Sequence, residues 1–256
     1  MSEKKLMRLL KRWWSLANQI AMMRSREEAI SDILQKLSSV TKSFSEPKLI
    51  LIGGYALRAF INLSRYTRDC DFAVKERCLE QIKDWLNEMN VEAFHQEQEY
   101  GYLRLLKLLK IGRSSTKVSL DFMQGQVRGR IEEDVVVLDK KFVQNSRRTA
   151  IKIGNNELDV FIPDYTDYLI LKIASARPSD VRDVAALIWK KGIPDRLKER
   201  ASEIVKSKTL FEKNIGEIIR TISDKRFLES WRGIFVVKEF GEDDKQKVIS
   251  EMKSLM

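Results

Sequence analysis

Residues 48–74 read KLILIGGYALRAFINLSRYTRDCDFAV, and the order of residue types in this stretch decides the fold. Leu49 to Ile52 are four apolar residues in a row, the length of a short buried strand. Gly53-Gly54 breaks the run, and a glycine pair permits backbone angles and close approaches that a side chain would forbid. From Tyr55 to Leu63 the apolar residues Ala56, Ala59, Phe60 and Leu63 recur at helical spacing. Asp69-Cys70-Asp71-Phe72-Ala73-Val74 predicts a second strand. On a strand, residues i and i+2 share a face, so Asp69 and Asp71 are expected to project side by side.

Two carboxylates aimed at one point repel unless a cation lies between them. Mg²⁺ is the usual occupant, a hard ion that bridges one or two carboxylates to substrate phosphates. A glycine pair between strand and helix adds free backbone N–H groups that favour an anion. A phosphate cradle beside an acidic pair is the apparatus of nucleotidyl transfer. The order apolar-Gly-Gly, fourteen residues, then Asp-x-Asp-apolar resembles the signature of the DNA polymerase β-like nucleotidyltransferase superfamily.

The bulk properties fit such a reading. At 256 residues the chain can bury a substantial core, and 43% hydrophobic with 33% charged residues is the balance of a soluble globular protein. No apolar run reaches the length of a membrane span. Arg8, Lys11 and Arg12 interrupt any signal-peptide core near the N-terminus, so a cytoplasmic location is expected. Cys70 and Cys78 are too few for a disulfide framework, and the single histidine, His95, excludes multi-histidine metal sites. A net charge of +10 suits a polyanionic partner such as RNA, although solubility charge gives the same figure.

Outward from the central stretch, residues 1–45 are helical in pattern, with a second helix expected to start at Ser25 and Ile30, Ile33, Leu34 and Leu37 as its apolar face. The Trp13-Trp14 pair is expected to pack on the domain rather than face a partner. A helix over 76–89 and strands over 92–97, 102–111 and 116–123 follow. Further strands are expected over 135–138, 149–153 and 158–162, with a hairpin tip at Asn155-Asn156. Between Leu103 and Lys152, twelve Lys/Arg stand against five Asp/Glu, and Arg128, Arg130, Arg147 and Arg148 are available to guide RNA or a triphosphate, or to protect sheet edges. After Pro163 the pattern is helical, except that Gly233 to Lys238 has the texture of a strand. The expected architecture is α+β: a nucleotidyltransferase domain with a mixed sheet and an N-terminal helical extension over 1–162, then a helical bundle over 163–256.

Two later features bear on the chemistry. Val118-Ser119-Leu120-Asp121-Phe122 places an acidic residue in a strand. In the superfamily a third metal carboxylate arrives in this form; a strand-end aspartate facing solvent would look the same. Lys172 lies in an apolar helix among Leu169, Ile170, Leu171, Ile173 and Ala174, where a lysine must snorkel to water or meet an anion. A triphosphate is one such anion, with Asp183 orienting the lysine; a Lys–Asp ion pair joining two helices is the other.

Together, Gly53-Gly54 with Ala56 and Leu57, Asp69 and Asp71, Lys172, and Arg182-Asp183 resemble the motifs of AbiEii-type nucleotidyltransferases, the toxin component of AbiE toxin–antitoxin pairs. The likeness covers residues 48–187, but a further acidic residue common there is Ala186 here. The resemblance implies Asp69, Asp71 and Asp121 as ligands of two Mg²⁺ ions, with Asp121 the alternative base. It implies Gly53, Gly54, Lys172 and Arg182 at the nucleotide, and Asp183 in the catalytic set. The implied reaction moves an NMP from an NTP to an acceptor hydroxyl, an RNA (tRNA) 3′ end, with an antitoxin protein as a partner. A protein or small-molecule nucleotidyltransferase would carry the same carboxylates. So would a non-catalytic RNA- or partner-binding module on the same fold.

Overall fold

The computed structural model describes residues 3–256 except 64, 76, 90, 98–100, 112–113, 130 and 236, and it describes side chains except those of 3–17, 92–97 and 114. The Trp13-Trp14 side chains and that of His95 therefore lie outside the described residues. No described helix is long and apolar enough to cross a membrane.

Helix α1 (Glu3–Val40) runs unbroken, so no second helix starts at Ser25. Arg24 to Glu28 contain no Gly or Pro to stop the first helix, and a serine inside a helix costs only tenths of a kcal/mol, on the order of other ordinary residues. Ile30, Ile33, Leu34 and Leu37 do form the buried face. The helix ends where Lys42, Ser43 and Phe44 all take left-handed backbone angles. Phe44, turned inward by that reversal, stacks on Phe72, which stacks on Phe122.

The frame of the molecule is a seven-stranded mixed sheet of order β3-β4-β5-β2-β1-β9-β8. Its strands are β1 (Leu49–Ile52), β2 (Asp69–Val74), β3 (Glu92–Glu97), β4 (Tyr102–Ile111), β5 (Ser114–Gln124), β8 (Arg147–Ile153) and β9 (Asn156–Ile162). A short pair, β6 (Gln126–Arg128) and β7 (Val135–Val137), stands apart. The interior strand β1 is buried along its whole length, as an all-apolar run between two paired neighbours must be. Between β1 and β2, the glycine pair opens a single helical turn, α2 (Gly53–Ala56), continued by a 3₁₀ turn over Leu57–Ala59. The helical spacing to Leu63 thus yields only a short element. Helices α3 (Leu79–Glu88) and α4 (Lys140–Asn145) complete this half.

Beyond β9 the named elements are all helices: α5 (Tyr165–Ser175), α6 (Pro178–Lys191), α7 (Leu197–Ile204), α8 (Lys208–Ser223), α9 (Phe227–Phe235) and α10 (Glu242–Lys253). Asp164 and Ser207 cap α5 and α8 by accepting from Asp167 N and Leu210 N. The strand expected from Gly233 onward is instead the end of α9, because Phe227, Trp231 and Phe235 recur every four residues and pack inward. Trp231 is fully buried against Phe240 and Phe235, and its indole N–H donates to the Arg182 carbonyl at 3.1 Å. Arg200 on α7 clamps the two halves together, donating to Asp167 on α5, to Asp139 at the head of α4 and to Glu203.

Candidate active site

A cavity of about 500 Å³ opens where the C-terminal end of β1 and the start of β2 meet α5 and α6. Its lining includes Gly53, Gly54, Asp69, Asp71, Arg104, Asp121, Lys172 and Arg177. The volume is that of a small-molecule or nucleotide pocket.

Strand alternation does what the sequence predicts: Asp69 and Asp71 share a face of β2, while Cys70 and Phe72 on the other face are buried in the core. In the parallel β2–β5 pairing Asp71 stands opposite Asp121, and Asp69 opposite Ser119. Ser119 donates to Asp69 at 2.7 Å. Asp71 makes no hydrogen bond or ion pair among the described residues. Burial first, then the neighbouring Asp121 and Asp69 charges, push its pKa from 3.8 up to about 7, against a weaker pull from Lys172 and Arg177.

Gly53 makes room for that carboxylate. With φ at +70°, a Cβ at this position would lie 1.9 Å from Asp71 Oδ2. Glycine is required twice over, for the left-handed angle and for the space. The Gly53 carbonyl accepts from Tyr168 Oη at 2.6 Å, which ties the turn to α5. Because α2 has only four residues, its N-terminus has little dipole to offer an anion.

Asp121 is brought to the carboxylate pair, yet it is already engaged. Arg104 on β4 donates from Nε to Oδ1 at 2.8 Å and from Nη2 to Oδ2 at 2.5 Å. Among the described residues no three His, Cys, Asp or Glu side chains form a metal-binding group. As a donor set for one hard cation, Asp69 and Asp71 fit: two adjacent oxygen ligands, one of them without a hydrogen-bond or ion-pair partner among the described residues and raised in pKa by burial and the neighbouring carboxylates.

Lys172 is 4% exposed and its ammonium meets Asp180 at 2.8 Å and Asp183 at 2.9 Å. Burial would lower its pKa, but these two carboxylates outweigh burial and raise it well above the ordinary value. Arg65 from the β1–β2 connection grips Asp183 with two bonds, at 2.7 and 2.8 Å. The four residues form a neutral buried network, so of the two expectations for Lys172 the interhelical ion pair is the contact formed. Asp183 is wholly buried within that network. Arg182, expected at the nucleotide, points away from the cavity: its Nη1 donates to Ser230 on α9 at 3.2 Å, because one step along α6 from Asp183 turns the side chain to the other face.

Sequence reasoning missed Asp180, Arg65, Arg104 and Arg177. Arg177 and Arg68 line the cavity without any side-chain hydrogen bond or ion pair among the described residues. Asp180, eight positions after Lys172 across a Pro-started turn, was the partner most open to detection from spacing.

A family model described as "Nucleotidyltransferase of unknown function (DUF6036)" matches residues 28–215, well over half the chain and all of the site just described. The chain belongs to this family. It is therefore a nucleotidyltransferase whose substrate includes a nucleotide. No curated protein matches the DUF6036 chain significantly. Among solved structures it is similar to JHP933 from Helicobacter pylori, at 10% identity and a TM-score of 0.49 over 86% of this chain and 89% of that one. It is also similar to the lincosamide antibiotic adenylyltransferase LnuA, at 14% identity and a TM-score of 0.34 over 62% and 96%.

Proposed function

We propose that the protein transfers an NMP from an NTP to the 3′ hydroxyl of an RNA, in the first instance a tRNA, in a Mg²⁺-dependent reaction. The observation that carries this reading is the unpartnered Asp71 carboxylate beside Asp69 on the wall of a nucleotide-sized cavity. Asp69 and Asp71 would hold Mg²⁺, which when bound neutralises phosphate charge and activates the α-phosphate. Arg177 and Arg68 supply the cations for the triphosphate, since Lys172 is held by Asp180 and Asp183. The acceptor oxygen attacks the α-phosphorus in line, the bond to the β-phosphate oxygen breaks, and pyrophosphate leaves. The hydroxyl proton passes to water in the open cavity, as both oxygens of Asp121 accept from Arg104. The net charge of +10 supports a polyanionic acceptor.

The test is incorporation of each α-labelled NTP into total tRNA with Mg²⁺, beside an Asp69→Asn/Asp71→Asn double variant. Label on RNA with the wild type alone is expected. Label on protein would replace the RNA acceptor by a protein one, and silence on both would leave a binding module. An AbiEii-like toxin role with an antitoxin partner extends the proposal on the motif residues alone; growth arrest on expression, relieved by Asp71→Asn, is its check.

A further inference from the structure

Arg104, Asp121 and Asp71 form one row across three strands. Arg104 stands opposite Asp121 in the β4–β5 pairing, and Asp121 opposite Asp71 in the β5–β2 pairing. Side chains at paired positions share a face and lie within reach of each other. Within the row the middle carboxylate is satisfied from one side only. Arg104 takes both its oxygens in the forked geometry that guanidinium and carboxylate share. Tyr102, two residues earlier on the same face of β4, adds a further hydrogen bond to Asp121. The next carboxylate, Asp71, makes no hydrogen bond or ion pair among the described residues.

Two consequences follow from this asymmetry. Both oxygens of the third carboxylate of the superfamily pattern are held by Arg104, and no three-ligand group is found among the described residues. The charges of Asp69, Asp71 and Asp121, less that of Arg104, also come to the equivalent of one divalent cation. Arg104 Nη1 is the nitrogen not committed to Asp121, and the side chain is 39% exposed on the cavity wall. That nitrogen is available to a phosphate oxygen.

We propose that Arg104 takes the place of a second divalent cation, an inference that rests on the metal-dependent reading above. The site then accepts one metal ion, on Asp69 and Asp71, and Arg104 is the permanent positive charge beside it. Unlike a metal, a guanidinium fixed by two hydrogen bonds neither exchanges nor responds to metal concentration.

Mn²⁺ binding to the full chain, followed by the electron paramagnetic resonance signal of the free ion, tests this. The wild type is expected to bind one Mn²⁺ per chain, and Arg104→Ala to bind two. Because Arg104→Ala leaves a buried carboxylate without its partner and lowers stability, Asp121→Asn is measured as well and is expected to stay at one. Two ions in the wild type, falling to one in Asp121→Asn, would overturn the proposal while leaving metal dependence intact. One ion in a folded Arg104→Ala would overturn it too. No binding by the wild type would overturn the metal-dependent reading itself.

Discussion

Replacing Asp71 by asparagine is expected to abolish transfer and, in metal-free protein, to raise stability. In the folded chain the carboxyl ionises at about 7 rather than 3.8, because burial and two neighbouring carboxylates oppose its charge. Well below pH 3.8 the group is protonated in both folded and unfolded chains and has no effect. Between 3.8 and about 7 the unfolded chain releases the proton while the folded chain retains it, so stability falls as pH rises. Above 7 the loss is complete. Three pH units at about 1.4 kcal/mol each amount to about 4 kcal/mol, which solvent in the open cavity reduces to about 3. Asparagine has no charge to bury and escapes the loss. For a chain of this size the difference corresponds to a Tm higher by about 6–12 °C. Thermal unfolding of both proteins in EDTA at pH 4 and pH 8 measures it: near-equal Tm at pH 4, the variant higher at pH 8. Added Mg²⁺ should raise the wild type and leave the variant unchanged. A variant less stable than the wild type at pH 8 in EDTA, or a difference that does not change with pH, would refute the reasoning.

Gly53→Ala places a methyl against Asp71 Oδ2 at a left-handed backbone angle, so a stability loss of about 2 kcal/mol or more is expected together with loss of transfer. Urea unfolding and the labelled-NTP assay measure the two effects. Lys172→Met strands Asp180 without a counter-charge in a buried site and should cost about 3–5 kcal/mol in urea unfolding. An unchanged midpoint would remove Lys172 from the structural network. Arg177→Ala is expected to raise the KM for NTP about tenfold with little change in kcat, the loss of one charge-assisted phosphate contact. A fall in kcat at constant KM would place Arg177 elsewhere in the reaction.

The central motif was legible because strand periodicity is strict. Once β2 is a strand, Asp69 and Asp71 must share a face, and Phe72 must face the core. Asp121 was legible as a strand carboxylate, but its register opposite Asp71 depends on a parallel pairing between segments fifty residues apart, which no local pattern encodes. Arg104 was harder still, since one basic residue in a Lys/Arg-rich strand looks like edge protection. Lys172 shows the converse: its oddity was visible, yet the chain itself supplies the anions, through a turn whose geometry brings both Asp180 and Asp183 to it. The single long α1 was misjudged at Ser25 because a good capping residue is also a tolerable interior one. At Gly233, apolar residues of a short helix end were mistaken for a strand, as short apolar runs carry no reliable period.

The hydrogen bond from Tyr168 to the Gly53 carbonyl joins the first helix after the sheet to the turn that accommodates Asp71. This wall of the cavity is thus shaped by residues on both sides of Pro163, and Arg200 repeats the link elsewhere. A fragment ending at residue 162 would lose an anchor of the glycine turn along with its helices. Grafting the helical half of a relative onto this sheet would disturb the same turn. New acceptor preferences are therefore more accessible to evolution, and to engineering, through point changes around the cavity mouth, at residues such as Tyr66 and Arg68, than through exchange of whole modules.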